Sequence, residues 1–151
     1  MKAHKTLEEI IAFAVKREDT AYRLYKSAAE KTTSIAARKM FEELAAEEAG
    51  HKEVFSRIDL AKSEQHLFRE IPDMKIAEYM NDIPFRPDMT YQEILMFAMK
   101  AEEHAYQLYL AAAEATDDTQ LKKTLQVFAD VEKGHKLSIE SIYDEQVLRE
   151  M

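Results

Sequence analysis

Apolar side chains recur along four long segments of the chain at alternating steps of three and four residues. This spacing places one stripe of each segment on a single helix face and is typical of helices packed in a left-handed bundle. Ionisable side chains interrupt every stripe near its middle. The four stripes are Leu7, Ile11, Ala14, Glu18, Ala21, Tyr25 and Ala28; Ala37, Phe41, Leu44, Glu48, His51, Phe55 and Ile58; Tyr91, Leu95, Ala98, Glu102, Ala105, Tyr109 and Ala112; and Leu121, Leu125, Phe128, Glu132, His135, Ile139 and Ile142.

The second half of the chain repeats the first. FAVKREDTAYRLYKSAAEKT, from Phe13, aligns without a gap with FAMKAEEHAYQLYLAAAEAT, from Phe97. The same shift aligns Glu48-Ala-Gly-His51 with Glu132-Lys-Gly-His135. Two copies of a long unit predict a fold with internal pseudo-two-fold symmetry. We therefore expect two related halves, at about residues 6–60 and 90–148.

Polar residues mark the predicted helix ends. The segments 6–9 and 90–93 both fit the capping box that opens a helix, and the helices they open should end at about Glu30 and Glu114. Short turns at 32–34 and 117–119 then lead into second helices that should end near Leu60 and Leu148. Because these turns are short, the two helices of each half should lie antiparallel as a hairpin.

Residues 61–89 contain all three prolines and are predicted to connect the two hairpins. The segment 72–80 has room for two helical turns. A connection of this length can run back along a whole bundle. We predict an all-α four-helix bundle with one long crossover, formed as a single domain by residues 1–151.

Composition and charge narrow the classes of function. The chain has no cysteine, which excludes disulfides, thiolate metal sites and iron–sulfur clusters. Its formal net charge of -8 argues against nucleic acid or an anionic membrane as a partner. The N-terminal segment lacks the apolar core of a signal peptide, and no later run could span a bilayer. We expect a cytoplasmic protein.

The ionisable residues of the stripes predict a dinuclear metal centre. Isolated carboxylates in the middle of a bundle are costly, and four at one level would repel one another. Two divalent ions would balance four carboxylates. One Glu from each of two helices, with Glu-x-x-His from each of the other two, is a known dinuclear arrangement in bundles. The six predicted ligands are Glu18, Glu48, His51, Glu102, Glu132 and His135.

A simpler interpretation exists for each of these residues taken alone, as a solvated Glu or a hydrogen-bonded His. Their matched placement on four stripes favours metal binding for the set. The nearby carboxylates fall off the stripes and are predicted to be solvated or to contact the ligands from outside; they are Asp19, Glu47, Glu53 and Glu103. No metal role is predicted for the remaining histidines, His4, His66 and His104.

The motifs KREDTAYRLY, KAEEHAYQLY and the two Glu-x-Gly-His segments resemble the rubrerythrin-like diiron branch of the ferritin-like superfamily. The resemblance covers both repeats. It implies that Glu48 and Glu132 bridge two metal ions, and that all six ligands act in catalysis through the metals. It assigns the four terminal ligand positions to Glu18, His51, Glu102 and His135. It also implies that Tyr25 and Tyr109 hydrogen-bond ligand carboxylates, although simple packing in the core is an equal alternative.

The sequence departs from that family in two places. Rubrerythrins with peroxidase activity carry a further Glu three residues after the ligand of the third helix, where this chain has Ala105. The cysteine-rich, rubredoxin-type domain of rubrerythrins proper is also missing from this sequence. Because Ala105 stands where that Glu would be, the redox-linked exchange of metal ligands in those peroxidases is in question here. Because the Cys-rich domain is missing, we expect a separate protein to donate electrons.

The resemblance implies a non-haem oxidoreductase with two iron ions, which reacts with O₂ or H₂O₂ in oxidative-stress defence. Manganese or zinc could take the place of iron. The alternatives are oxidation of ferrous iron for handling or storage, hydroxylation of an organic substrate, and a metal-occupied bundle with a structural or partner-binding role. We expect a homodimer, in which hairpins could exchange between chains.

Gly50 and Gly134 are the chain's two glycines, and each lies inside a predicted helix directly before a candidate ligand His. A glycine within a helix costs about 1 kcal/mol relative to alanine. One hypothesis is that the missing side chain admits a small oxidant or another group close to the ligands. The alternative is that close helix packing excludes a Cβ atom.

Overall fold

A computed structural model describes residues 5–58, 70–71, 86 and 88–148, which form a bundle of four long helices. The helices are α1 (Leu7–Lys31), α2 (Ile35–Ser56), α3 (Tyr91–Ala115) and α4 (Thr119–Tyr143). A π-helical turn, Asp144–Leu148, continues α4. Two short strands, β1 (Lys5–Thr6) and β2 (Glu70–Ile71), pair antiparallel. The all-α four-helix bundle predicted from the stripes is confirmed.

The bundle consists of two helix hairpins. α1 packs chiefly against α2, and α3 chiefly against α4, while contacts between α1 and α3 and between α2 and α4 join the hairpins. The predicted hairpin pairing is therefore confirmed. Since α2 and α4 each follow their partner after a turn of only a few residues, the two helices of a hairpin run antiparallel.

Side-chain caps fix where the helices begin. Thr90 accepts a hydrogen bond from the Glu93 amide at 3.2 Å, and Glu93 accepts one from the Thr90 amide at 2.9 Å, which completes the predicted capping box. Ser34 caps α2 and Asp118 caps α4, each by accepting from a backbone amide three residues on. α1 begins at Leu7 as predicted, although the Thr6 side chain lies outside what the structure describes.

The helix ends follow the prediction less closely. α1 and α3 each end one residue later than predicted. α2 ends at Ser56 rather than near Leu60, because Arg57 forms its C-cap and the Ile58 amide bonds in a tight turn to the Phe55 carbonyl. α4 ends as an α-helix at Tyr143, and the chain continues to Leu148 as a π-turn.

Two apolar clusters fill the bundle on either side of the ionisable level. One contains the fully buried Ile10, Leu108, Tyr109 and Leu125, and the other the fully buried Leu24, Phe41, Ile94 and Ile139. Phe41, Tyr109, Leu125 and Ile139 belong to the predicted stripes. The other four lie off the stripes, so the core is wider than predicted. The ionisable residues lie between the two apolar layers.

Most of the predicted crossover, including the helical segment predicted at 72–80, lies outside the described residues. The described part consists of residues 70–71, 86, 88 and 89, of which Met89 is a buried member of the second apolar cluster. Of the helices that the structure describes, none is long and apolar enough to cross a membrane.

The two glycines lie on exposed helix surface. A Cβ atom built on either Gly50 or Gly134 would meet no heavy atom within 4 Å, and neither residue has a positive φ. Close packing within the described chain therefore does not exclude a side chain at these positions, and that alternative is wrong. The hypothesis of an access role stays a prediction.

Replacing both glycines by alanine should raise the free energy of unfolding by about 1–2 kcal/mol in total, because alanine lowers the entropy lost on forming a helix. Urea denaturation of the metal-free protein followed by circular dichroism measures the change. Ala46→Gly, at an exposed position of α2, is the matched control and should lower stability by a similar amount per site. A less stable double alanine variant would contradict this account.

Candidate metal centre

The structure brings all six predicted ligands together between the two apolar clusters. Each Glu-x-x-His pair lies on one face of its helix, since residues three apart are neighbours there. The four carboxylates are at most 1% exposed. Two groups of potential ligand atoms form, each with all its atoms within 4.8 Å of one another. The groups are Glu18, Glu48, His51 and Glu132, and Glu48, Glu102, Glu132 and His135.

Both histidines direct Nδ1 at the same two carboxylate oxygens. His51 Nδ1 lies 3.3 Å from Oε1 of Glu48 and 3.3 Å from Oε1 of Glu132. His135 Nδ1 lies 3.5 and 3.8 Å from those two atoms. Glu48 and Glu132 belong to both ligand groups, which is the placement expected of carboxylates that bridge two ions.

Six buried atoms at this level lack a hydrogen-bond partner, one from each predicted ligand. They are Glu18 Oε2, Glu48 Oε1, His51 Nδ1, Glu102 Oε2, Glu132 Oε1 and His135 Nδ1. A buried polar atom without a partner costs about 1–3 kcal/mol, so native structures contain few of them. Carboxylate oxygens and imidazole nitrogens suit iron, manganese or zinc. The residues therefore fit a pair of metal ions, which would satisfy these atoms.

Two buried tyrosines donate hydrogen bonds to Glu18 and Glu102, the outer carboxylates, which each belong to only one ligand group. The Tyr109 hydroxyl donates to Glu18 Oε1 at 2.7 Å, and the Tyr25 hydroxyl donates to Glu102 Oε1. Each bond joins one hairpin to the other. Burial, then the nearby carboxylates, raises the pKa of both tyrosines, so both remain protonated donors. Of the two alternatives for these hydroxyls, the geometry supports the hydrogen bond to a ligand.

Replacing Tyr25 or Tyr109 by Phe should weaken metal binding about 10- to 100-fold, because partners of this kind orient the ligand carboxylate. Competition with a chelator of known affinity measures the change. Tyr91→Phe is the matched control: its hydroxyl donates to Gln146 Oε1 at 2.6 Å, outside both ligand groups, and its loss should leave metal affinity unchanged. If all three variants bound metal with equal affinity, Tyr25 and Tyr109 would have no part in metal binding.

The predicted ligands lie in two segments that match a known protein family. A sequence model of the Rubrerythrin family matches residues 1–59 and 93–150. The chain belongs to the rubrerythrin family. The first matched segment contains α1 and α2, and the second contains α4 and all but the first two residues of α3. Together they include all six predicted ligands. The resemblance seen in the motifs is therefore confirmed.

Two solved structures share this rubrerythrin-family fold. A hypothetical protein from Pyrococcus furiosus is 26% identical, with a TM-score of 0.73, over 92% of this chain and 89% of that one. A protein from Thermotoga maritima, provisionally described as a ferritin-like diiron-carboxylate protein, is 22% identical, with a TM-score of 0.79. That alignment covers 97% of this chain and 100% of that one. No curated protein matches the chain in sequence.

One side chain in this rubrerythrin-family centre was not predicted. The Arg17 guanidinium enters between the carboxylates, where Nη1 donates to Glu48 Oε2 at 2.9 Å and also to Glu132 Oε2. Nη2 donates to Glu102 Oε1 at 2.8 Å, and Nη1 lies 3.2 Å from Glu18 Oε2. The signal in the sequence is an asymmetry of the repeat, because Ala101 aligns with Arg17.

The four carboxylates do not hold protons equally. Burial, reinforced by the other carboxylates, raises the pKa of Glu48 and Glu132 well above the ordinary value. Burial acts in the same direction on Glu102, but Arg17, His135 and Glu132 together outweigh it, and the pKa of Glu102 is lowered. At His51 the carboxylates of Glu132 and Glu18 outweigh the effect of burial and raise the pKa to about 9. A cation that bound to the two shared carboxylates would therefore compete with protons.

Glu47 supports one of the two histidines. Nε2 of His135 lies 2.7 Å from Glu47 Oε2, and this hydrogen bond leaves Nδ1 of a neutral His135 unprotonated and facing the centre. Glu47 thus contacts a ligand from outside, one of the two roles predicted for it. Val131 aligns with Glu47 in the repeat, and His51 instead stacks on Phe128 with ring centroids 4.3 Å apart.

The other carboxylates off the stripes form ion pairs away from the centre. Lys52 donates to Asp19 and Lys136 to Glu103, each at 2.9 Å, at positions related by the repeat. Glu53 pairs with Arg57 on exposed surface. Neither ligand group contains His104, while His4 and His66 lie outside the described residues. Ala105 is 2% exposed, so the position of the further Glu of peroxidase rubrerythrins is part of the core here.

Proposed function

We propose that this chain binds two metal ions, in the first instance iron, and acts as an oxidoreductase that reduces O₂ or H₂O₂ in oxidative-stress defence. The six convergent buried atoms that lack a hydrogen bond carry this proposal. Membership of the rubrerythrin family supports it. Iron held by Glu18, Glu48, His51, Glu102, Glu132 and His135 would supply reversible one-electron chemistry.

The chain's own residues provide the setting for that chemistry. The two apolar clusters limit water at the carboxylate level, which strengthens electrostatic interactions there. Tyr25 and Tyr109 hold the outer carboxylates in place. His51 is the most exposed of the six, with 12% of its side chain accessible, and marks the side from which a small molecule would approach.

A small oxidant suits so enclosed a centre better than an organic substrate, because the four carboxylates are almost fully buried. Reduction of H₂O₂ to two molecules of water takes two electrons and two protons. Without cysteine for a rubredoxin-type site, the chain would receive the electrons from a separate donor protein. We further propose a cytoplasmic homodimer, with hairpin exchange as one form of it.

A second candidate function is the oxidation of ferrous iron for handling or storage. The observation that favours it is Ala105, which replaces the further Glu associated with peroxidase activity in rubrerythrins. In this case iron is the substrate as well as an occupant of the centre. Size-exclusion chromatography bears on storage, because a dimer is too small to enclose a mineral core.

Anaerobic reconstitution with Fe²⁺, metal counting, and stopped-flow mixing with O₂ or H₂O₂ test these functions. Two irons per chain and rapid ferric absorption would support the oxidoreductase, and the faster oxidant would indicate its substrate. Continued turnover of added Fe²⁺ with O₂ would favour iron handling. Iron that binds without reacting would contradict both functions, and failure to bind iron would contradict the choice of metal.

A further inference from the structure

Arg17 lies at the point where the carboxylates of both hairpins meet. Its side chain is only 10% exposed, and its guanidinium donates directly to Glu48, Glu102 and Glu132. A charged group is buried in this way only when charges of opposite sign surround it. Because the repeat has Ala101 at the aligned position, the bundle architecture itself does not require an arginine there.

We propose that Arg17 is an internal counter-cation, which remains in the centre when the first metal ion binds and is displaced by the second. This inference rests on the proposed metal binding. It predicts that the two ions bind in separate steps, with the second step weakened by the work of removing Arg17.

The choice of oxygen atoms supports this order. Arg17 bonds to Oε2 of both Glu48 and Glu132, whereas the Oε1 atoms of the same residues face Nδ1 of both histidines and have no hydrogen-bond partner. One ion can therefore use the Oε1 side while Arg17 stays in place. If Glu48 and Glu132 bridged two ions through both of their oxygens, the second ion would need the Oε2 atoms that Arg17 holds.

Charge balance points in the same direction. With one divalent ion bound, four ionised carboxylates keep two negative charges, and Arg17 offsets one of them. A second divalent ion with Arg17 still inside would leave an excess of positive charge, and the guanidinium would lie beside two cations in a region of low dielectric constant. Without Arg17, two divalent ions balance the four carboxylates. The long aliphatic part of the arginine side chain allows the guanidinium to move outward while the backbone stays in place.

Titration of the metal-free protein with Mn²⁺ tests the proposal, using calorimetry for the stepwise affinities and electron paramagnetic resonance for the number of ions per centre. In the native sequence, an isolated-ion signal should be greatest near one equivalent, and the spin-coupled pair should appear only as the second equivalent binds. In Arg17→Met, which keeps an unbranched apolar side chain and removes the guanidinium, the second step should tighten at least about tenfold.

Arg23→Met is the matched control, because Arg23 lies on the same helix, is 59% exposed and pairs with Asp19 at 3.3 Å. It should titrate like the native sequence. Metal-free Arg17→Met should also be less stable than the native protein, since the buried carboxylates lose their counter-cation. A purely structural arginine would weaken metal binding when removed, whereas displacement predicts stronger binding, so the two roles give opposite signs.

An unchanged or weaker second step in Arg17→Met would overturn the proposal while leaving two-metal binding intact. If neither protein bound Mn²⁺, or any other divalent ion, the metal assignment itself would fail, and this inference with it. Should Arg17→Met not fold, the native titration decides: a coupled pair formed from the first additions, without an isolated-ion signal, would overturn the proposal.

Discussion

Replacing Glu48 and Glu132 together by Gln should abolish the binding of two metal ions per chain. These two residues belong to both groups of potential ligand atoms, so their loss affects both metal positions at once. A neutral amide offers one oxygen and no negative charge, and it cannot bridge two cations as a carboxylate does. We expect affinity to fall by at least about 100-fold, equivalent to about 2.7 kcal/mol. Elemental analysis after desalting should find less than one ion per chain.

Glu43→Gln combined with Glu140→Gln makes the same change of charge at exposed positions of α2 and α4. This control should still bind two ions. Circular dichroism of both double variants checks that the helices are retained. If the Glu48 and Glu132 variant still bound two ions with unchanged spectra, the assignment of these residues as bridges would be wrong.

Metal loading should raise the free energy of unfolding by about 5 kcal/mol. The six buried atoms that lack a hydrogen bond are the reason, because the ions satisfy them only in the folded chain. A ligand at about 100 times its dissociation constant adds about 2.7 kcal/mol for each site. For a chain of this size each kcal/mol corresponds to about 2–4 °C, so the melting temperature should rise by about 10–20 °C. Thermal unfolding followed by circular dichroism, before and after a chelator, measures the difference.

The Glu48→Gln and Glu132→Gln double variant should show almost no such increase. If it were stabilised by metal as much as the native sequence, the ions would be acting at another place on the protein. The Glu43 and Glu140 variant should be stabilised like the native sequence.

The features that the sequence predicts well depend on local periodicity. Helix spacing places Glu18, Glu48, Glu102 and Glu132 on the buried stripes, and hairpin packing then brings them to one level. Helix starts were also predictable, because capping depends on residues only three apart, as at Thr90 and Glu93. Helix ends were harder to predict, since α2 stops in a tight turn at Arg57 where the sequence contains neither glycine nor proline.

Other features depend on how helices rotate against one another, which a stripe does not specify. Arg17 is one residue before the stripe, and only its long side chain carries the guanidinium into the centre. Glu47 likewise lies off its stripe, but the contact between α2 and α4 brings it to His135. The sequence also did not predict that the space beside Gly50 and Gly134 is open, because a pattern of residue types does not show whether neighbouring space is filled.

Each hairpin supplies one outer Glu, one shared Glu, one His and one Tyr, and each Tyr reaches the outer Glu of the other hairpin. The set is self-complementary, so two identical hairpins related by a two-fold axis would already contain every ligand and both tyrosines. We infer that an ancestral half-length peptide could have built this centre by pairing with itself. Fusion of two copies would let the halves diverge. Arg17 and Glu47 occur once per centre, where a symmetric pair would contain each twice.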